Sequence, residues 1–212
     1  MISKRIKTIA SYLKGAKTIA DIGCDHGYLI IEAFLNYDIE KAIAIDNKKM
    51  PLTKAIDNLK KYDFYDSVKF ILSDGLSGLE DAVDAIVFAG MGGLLIIELI
   101  EANYPKLQNA RLIIQANRKS ADVRKYLTCK MYTITNEEIV FEDRKFYEII
   151  VFEKSNEIIE YSEDDYEFGP ILRQEKDELF LKKLSNDLRI LKNIPHHTEE
   201  ITIRIKKIEE YL

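Results

Sequence analysis

The segment Asp21-Ile22-Gly23-Cys24-Asp25-His26-Gly27-Tyr28-Leu29 joins the end of a short apolar run to the start of a second one. Glycines at such a junction let a ligand approach the backbone, and the free N–H groups of a following helix offer donors to a polar group. Asp25 stands where a dinucleotide fingerprint would carry its middle glycine. A carboxylate there repels a pyrophosphate and suits an adenosine cofactor bearing positive charge. S-adenosylmethionine has a sulfonium, an ammonium and a ribose diol but no phosphate, so a glycine turn flanked by Asp21 and Asp25 fits it.

Three further strand ends carry candidate ligand-binding residues. Asp46 closes KAIAID, where a carboxylate can accept both ribose hydroxyls or cap the next helix. Ser73-Asp74-Gly75 follows VKFIL, and Asp74 can take an adenine amino group or form an Asx turn. DAIVFAG runs through Ala89 into Gly90-Met91-Gly92-Gly93, either an open floor for a flat base or a tight turn. His26 is a general base or a residue that orients the turn, and Tyr28 stacks on a displaced base or packs in the core.

The elements that position these residues follow from hydrophobic patterning. TIADI, KAIAID, VKFIL, DAIVFAG and ARLIIQ read as buried parallel strands, and residues 27–36, 48–61, 92–103 and 119–128 as the helices between them. This alternation predicts an α/β, doubly wound, Rossmann-like sheet. YTITNEEIVF and KFYEIIVFE flank a polar tip at Glu142-Asp143-Arg144, so the sheet ends in an antiparallel hairpin. The reading divides the chain into a cofactor-binding catalytic domain, 1–154, an acidic linker, 155–168, and a helical hairpin, 169–212. In the hairpin, one helix runs to about Asn193 with a Leu181, Leu184, Leu188, Leu191 seam, and a second carries Ile201, Ile205, Ile208 and Leu212.

The chain's 212 residues are 47% apolar and 32% charged, the balance of a globular protein. No window holds the roughly 18–20 apolar residues of a membrane span, and the basic N-terminus has no signal core, so the expectation is a soluble cytoplasmic protein. Cys24 and Cys129 stand apart from any Cys/His cluster, and His196-His197 have no ligand partner at metal spacing, so neither a disulfide nor a metal is expected. The net charge of −5 excludes a uniformly basic coat, yet residues 1–17 and 111–130 are locally basic.

The set DIGCDHGYL, AIAID, LSDGL, VFAGMGG and FYEIIVFE resembles the bacterial tRNA adenine-22 N1-methyltransferase family, the TrmK type, over essentially the whole chain. The resemblance implies a class I methyltransferase domain that binds S-adenosylmethionine and a helical domain that helps grip tRNA. It carries over Asp21, Gly23, Asp25, His26 and Tyr28 to the cofactor motif, Asp46 to the ribose, Asp74-Gly75 to the adenine, and Ala89 to Gly93 to the target side. The expected catalytic set is Asp25, His26, Tyr28 and Gly90 to Gly93. Gly27 replaces a usual alanine, Asp46 a usual glutamate, and Gln115-Ala116-Asn117 lacks a central proline. RNA contact would then fall to Arg5, Lys7 and Lys14, to Arg118, Lys119, Arg124 and Lys125, and to Lys182, Lys183, Arg189 and Lys192, with a monomer favoured. The rivals are another RNA or a small molecule as substrate, a nicotinamide oxidoreductase on the same sheet, and a non-catalytic RNA-binding module.

Overall fold

The computed structural model describes residues 2–157 and 159–212. Its sheet has seven strands in the order β3-β2-β1-β4-β5-β7-β6. The strands are β1 (Thr18–Ile22), β2 (Lys41–Asp46), β3 (Val68–Leu72), β4 (Ala85–Met91), β5 (Arg111–Ala116), β6 (Tyr132–Glu142) and β7 (Lys145–Lys154). The first five pair in parallel, while β7 runs antiparallel to β5 and to β6.

Alternation along the strands builds two cores. Ile19, Ala42, Ala44, Ala85 and Val87 point to one face, which packs under α1 (Lys4–Ser11), α2 (Tyr28–Asn36) and α3 (Lys49–Leu59). Ala20, Ile43, Ile45, Ile86 and Phe88 point to the other, where Ile96, Leu99, Val123 and Leu127 of α4 (Gly93–Ala102) and α5 (Ser120–Cys129) meet them. A strand buried on both faces must be apolar at every position, which is why these runs stand out in the sequence.

The C-terminal third differs from expectation. Where a linker was expected over 155–168, α6 (Glu163–Phe168) forms, started by a capping box between Ser162 and Asp165. The single helix expected up to Asn193 is two, α7 (Pro170–Glu175) and α8 (Glu178–Lys192), separated by Lys176 in a left-handed conformation (φ 49°). Phe168, Leu172, Phe180, Leu184 and Ile208 of α6 to α9 (Glu199–Tyr211) form a third core that also takes in Ile139 of β6. Phe180 therefore joins the expected seam, whereas Leu212 is exposed. The helices lie on the sheet's edge strand and share its core.

Candidate active site

The parallel strands all direct their carboxyl ends to one edge, and the order reverses between β1 and β4, the point at which open α/β sheets bind ligands. A cleft of about 1220 Å³ opens there. Asp21, Gly23, Asp25, His26, Tyr28, Asp46, Asp74, Gly75, Ala89, Gly90 and Met91 all line it, so residues up to 70 positions apart in the chain meet in one place.

Three carboxylates dominate the β1–β2 side. Asp21 is 4% exposed, and no hydrogen bond to a described residue compensates its burial. Burial, then the charges of Asp46 and Asp25, push its carboxyl up to about 7. A buried carboxylate with spare lone pairs facing a cleft is a site for a cationic or hydrogen-bond-donating ligand. Asp46 Oδ2 accepts from the Asp25 amide at 3.3 Å and Oδ1 from the Lys48 amide at 2.9 Å. It does not cap α3, whose N-cap is Lys48. Two of its roughly four acceptor positions remain for a ribose diol. Asp74 is exposed and its Oδ1 accepts from Asn47 Nδ2 at 3.4 Å.

The turn between β1 and α2 is rigid. Gly23 has φ 77° and Asp25 φ 43°, and a side chain at Gly23 would run into the terminal methyl of Met91. The His26 carbonyl accepts from Asn58 Nδ2 at 3.1 Å, which anchors the turn to α3. The His26 ring stacks on Tyr28 with centroids 5.5 Å apart and an interplanar angle of 17°, and its Nε2 lies 3.6 Å from Asp25 Oδ1. Tyr28 is 47% exposed, a platform and not a core residue. The neighbouring Cys24 is buried, and burial followed by the Asp21 charge pushes its thiol above the ordinary range, away from any nucleophilic role.

The glycine loop after β4 divides in two. Gly90, at φ 77°, donates to Gln115 Oε1 at 3.2 Å and its carbonyl accepts from Asn117 Nδ2 at 2.7 Å. Met91 O accepts from the Asn117 amide at 2.7 Å. The expected catalytic place of Gly92 and Gly93 is corrected, because neither lines the cleft. Gly92 is the N-cap of α4, and a Cβ on Gly93 would stand 2.6 Å from the Lys119 carbonyl, so this glycine serves close backbone packing.

The basic residues also sort differently from expectation. Arg124 is 0% exposed, with Nε 2.7 Å from Glu137 Oε1, Nη2 2.9 Å from Glu148 Oε2 and Nη1 donating to Tyr166 O, so it cannot meet RNA. Lys183 bonds Glu148 and Asp187 at 3.0 Å each and is half-buried, which also removes it from an outer RNA face. Lys125, Lys119 and Lys192 are exposed but paired with Glu163, Asp122 and Glu209. Lys7, Lys14, Arg118, Lys182 and Arg189 are exposed. Arg5 turns inward: Nη1 donates to Gln115 Oε1 at 2.6 Å and its guanidinium lies 5.0 Å over the Tyr147 ring. The sequence reading missed Gln115, Tyr147, Arg144 and Lys145 as cleft residues. A glutamine ending an otherwise apolar strand was the one local signal for Gln115.

Among the described residues, no cluster of three or more His, Cys, Asp or Glu is placed to hold a metal ion, and no helix is long and apolar enough to cross a membrane. A mixed seven-stranded sheet of this order with an acid-lined cleft at the β1/β4 switch point defines a Rossmann-like methyltransferase. The model of the TrmK family, tRNA (adenine(22)-N(1))-methyltransferase, matches residues 19–212, and the chain belongs to that family. A Bacillus subtilis (strain 168) tRNA (adenine(22)-N(1))-methyltransferase is 35% identical over 212 residues, covering 97% of this chain and 86% of that protein. The crystal structure of Streptococcus pneumoniae Sp1610 in complex with S-adenosyl-L-methionine is 33% identical over 100% of both chains, with a TM-score of 0.94. M. capricolum TrmK, bound to S-adenosyl-homocysteine, is 29% identical over 100% of this chain and 97% of that one, with a TM-score of 0.87.

Proposed function

We propose that this chain methylates N1 of adenine 22 in tRNA with S-adenosylmethionine as cofactor, the activity for which its family is named. The observation that carries the reading is Asp21, a buried carboxylate with no donor among the described residues, gathered with Asp46 and Asp25 at the switch point. This set of acceptors fits S-adenosylmethionine: Asp21 for the positively charged amino acid part, Asp46 for the ribose, Asp74 and Gly75 for the adenine, with Gly23 allowing close backbone approach. When bound, the cofactor supplies an electrophilic methyl on a sulfonium. The same acids oppose a pyrophosphate, which disfavours the nicotinamide alternative.

Adenine N1 carries an in-plane lone pair and needs no strong base, so alignment provides most of the rate. N1 lies on the Watson–Crick edge, so the base must leave its pairing, and the exposed Tyr28–His26 stack offers it a platform. Methylation makes the ring cationic, and the position of Asp25 in the cleft beside His26 supports a role for it in stabilising that charge. His26 serves the platform and, through its carbonyl, the shape of the turn. The Gly90 and Met91 carbonyls already accept from Asn117, which fixes the target-side floor. Lys7, Lys14, Lys182 and Arg189 are available to RNA from outside the cleft. tRNA as substrate supports a cytoplasmic location. The test is methyl transfer from labelled cofactor to unmodified tRNA, read as N1-methyladenosine by nucleoside mass spectrometry.

A further inference from the structure

Most charges lining the cleft are segregated. Asp21, Asp25, Asp46 and Asp74 occupy the ends of β1 to β3 with Lys48 as the one cation beside them, while Arg5, Arg118, Arg144, Lys145 and Lys183 line it from α1, the β5–α5 turn, the β6–β7 hairpin and α8 with Asp187 as the one acid on that side. The cations are not equivalent. Arg5 is engaged by Gln115 and Tyr147, and Lys183 by Glu148 and Asp187. Arg118, Arg144 and Lys145 are exposed and form no ion pair with a described residue. A cation already paired with a carboxylate gains little by exchanging it for a phosphate, whereas an unpaired one gains the interaction and releases counterions from the nucleic acid.

The hairpin is built to present two of these cations. Asp143 and Arg144 have φ 48° and 61°, the conformation of a two-residue turn that matches strand twist, and Glu142 pairs with Lys145 in the last rung. The acid nearest in that rung is occupied: Glu142 Oε1 accepts from the Lys4 amide at 2.6 Å and Oε2 from the Arg5 amide at 3.2 Å, at the N-terminus of α1. Asp143 is the turn's other acid and sits at its exposed tip. The hairpin is thus pinned by α1 beside the cleft with Arg144 and Lys145 free.

We infer that Arg144 and Lys145 of the β6–β7 turn, with Arg118 after β5, clamp the RNA phosphates that flank the target adenosine. The inference rests on tRNA being the substrate. The clamp holds the strand at the basic rim while the unstacked base enters toward Tyr28, and the acid side turns phosphates away.

The test uses the full-length protein, unmodified tRNA and the variants Arg144→Gln/Lys145→Gln and Arg118→Gln. Lys60→Gln, whose lysine pairs with Asp57 at 3.7 Å on α3, is the control. Binding is measured between about 50 and 200 mM salt. Each lost phosphate contact should flatten the slope of log K against log salt by about one. The tRNA KM should rise about five- to tenfold, with kcat at saturating tRNA and cofactor affinity unchanged, and Lys60→Gln should match wild type. A wild-type slope retained in both clamp variants overturns the clamp and leaves the methyltransferase reading intact. A slope flattened on tRNA that is bound but not methylated upholds the clamp and overturns that reading.

Discussion

Arg5 and Gln115, 110 residues apart, meet at 2.6 Å under the target-side loop, and the same Gln115 oxygen also accepts from the Gly90 amide. The amino-terminal helix thereby holds the end of β4 in its left-handed conformation. Gln115→Ala leaves the Gly90 amide and the Arg5 guanidinium without this acceptor, a loss of about 1–3 kcal/mol. The single-turnover methylation rate should fall about tenfold or more while cofactor affinity, measured by calorimetry, changes less than twofold. Equal losses in both would show that Gln115 supports the whole cleft instead of the target side.

Asp46→Ala should weaken S-adenosylmethionine binding by about 1.5–3 kcal/mol, the scale of hydrogen bonds to a charged group, or roughly ten- to a hundredfold in Kd. Calorimetry on the variant checks this. An unchanged Kd would remove Asp46 from the ribose site.

The strands and the acid cluster were legible in the sequence because their causes are local. TIADI, KAIAID and VKFIL match β1, β2 and β3 residue for residue; burial on both faces gives the first two their apolar runs, whereas β3, expected to be buried, is an edge strand with only Val68 buried, and its β-branched and aromatic residues carried the signal. Asp46 ends such a run, so its place at the sheet edge followed. The burial of Arg124 was not legible. Its run, Arg118 to Lys130, has the pattern of a solvated helix face, and only the acids at Glu137 and Glu148, 13 and 24 residues on, turn it into an interior cation. Likewise α6 is short and acidic, held by a capping box and by Phe168 in a core assembled from distant elements.

That interior cation sets a stability prediction. Burial alone would raise the Glu148 carboxyl, but the ammonium of Lys183 and the guanidinium of Arg124 outweigh it and hold it down at about 2. Its contribution is therefore present above the unfolded carboxylate range and is lost as pH falls toward 2. Arg124→Ala leaves the buried Glu137 without its cation and Glu148 with Lys183 alone, and should cost about 3–5 kcal/mol in denaturant unfolding at pH 7. A variant with wild-type stability and weakened tRNA binding would restore Arg124 to an RNA role.

Deleting 169–212 should destabilise the rest of the chain, because Glu137 accepts from the Ile171 amide at 2.9 Å and Glu148 bonds Lys183. The truncated chain should melt at a markedly lower temperature, and Lys183→Ala should reproduce part of that loss. A truncated protein with the full chain's Tm would show two independent units.

Asp21 links cofactor binding to pH. Its folded carboxyl, raised to about 7, favours the protonated form, so its contribution to stability is complete below the unfolded value and is lost as pH rises through 7. Asp21→Asn should therefore raise the Tm at pH 7.5, by about 2–4 °C for each kcal/mol relieved, with the gain shrinking toward pH 5. A cationic ligand needs the ionised form, so wild-type affinity for S-adenosylmethionine should rise between pH 6 and 7.5, and Asp21→Asn should bind weakly without that rise. A flat wild-type profile would contradict the cationic role.

The most direct measurement is incubation of the purified protein with labelled S-adenosylmethionine and two tRNA transcripts, one with adenine and one with guanine at position 22, followed by nucleoside mass spectrometry. The account predicts N1-methyladenosine on the first transcript and none on the second. Equal methylation of both, or a methyl group on N6, would contradict the assigned target, and no transfer despite measurable cofactor binding would contradict the assigned reaction.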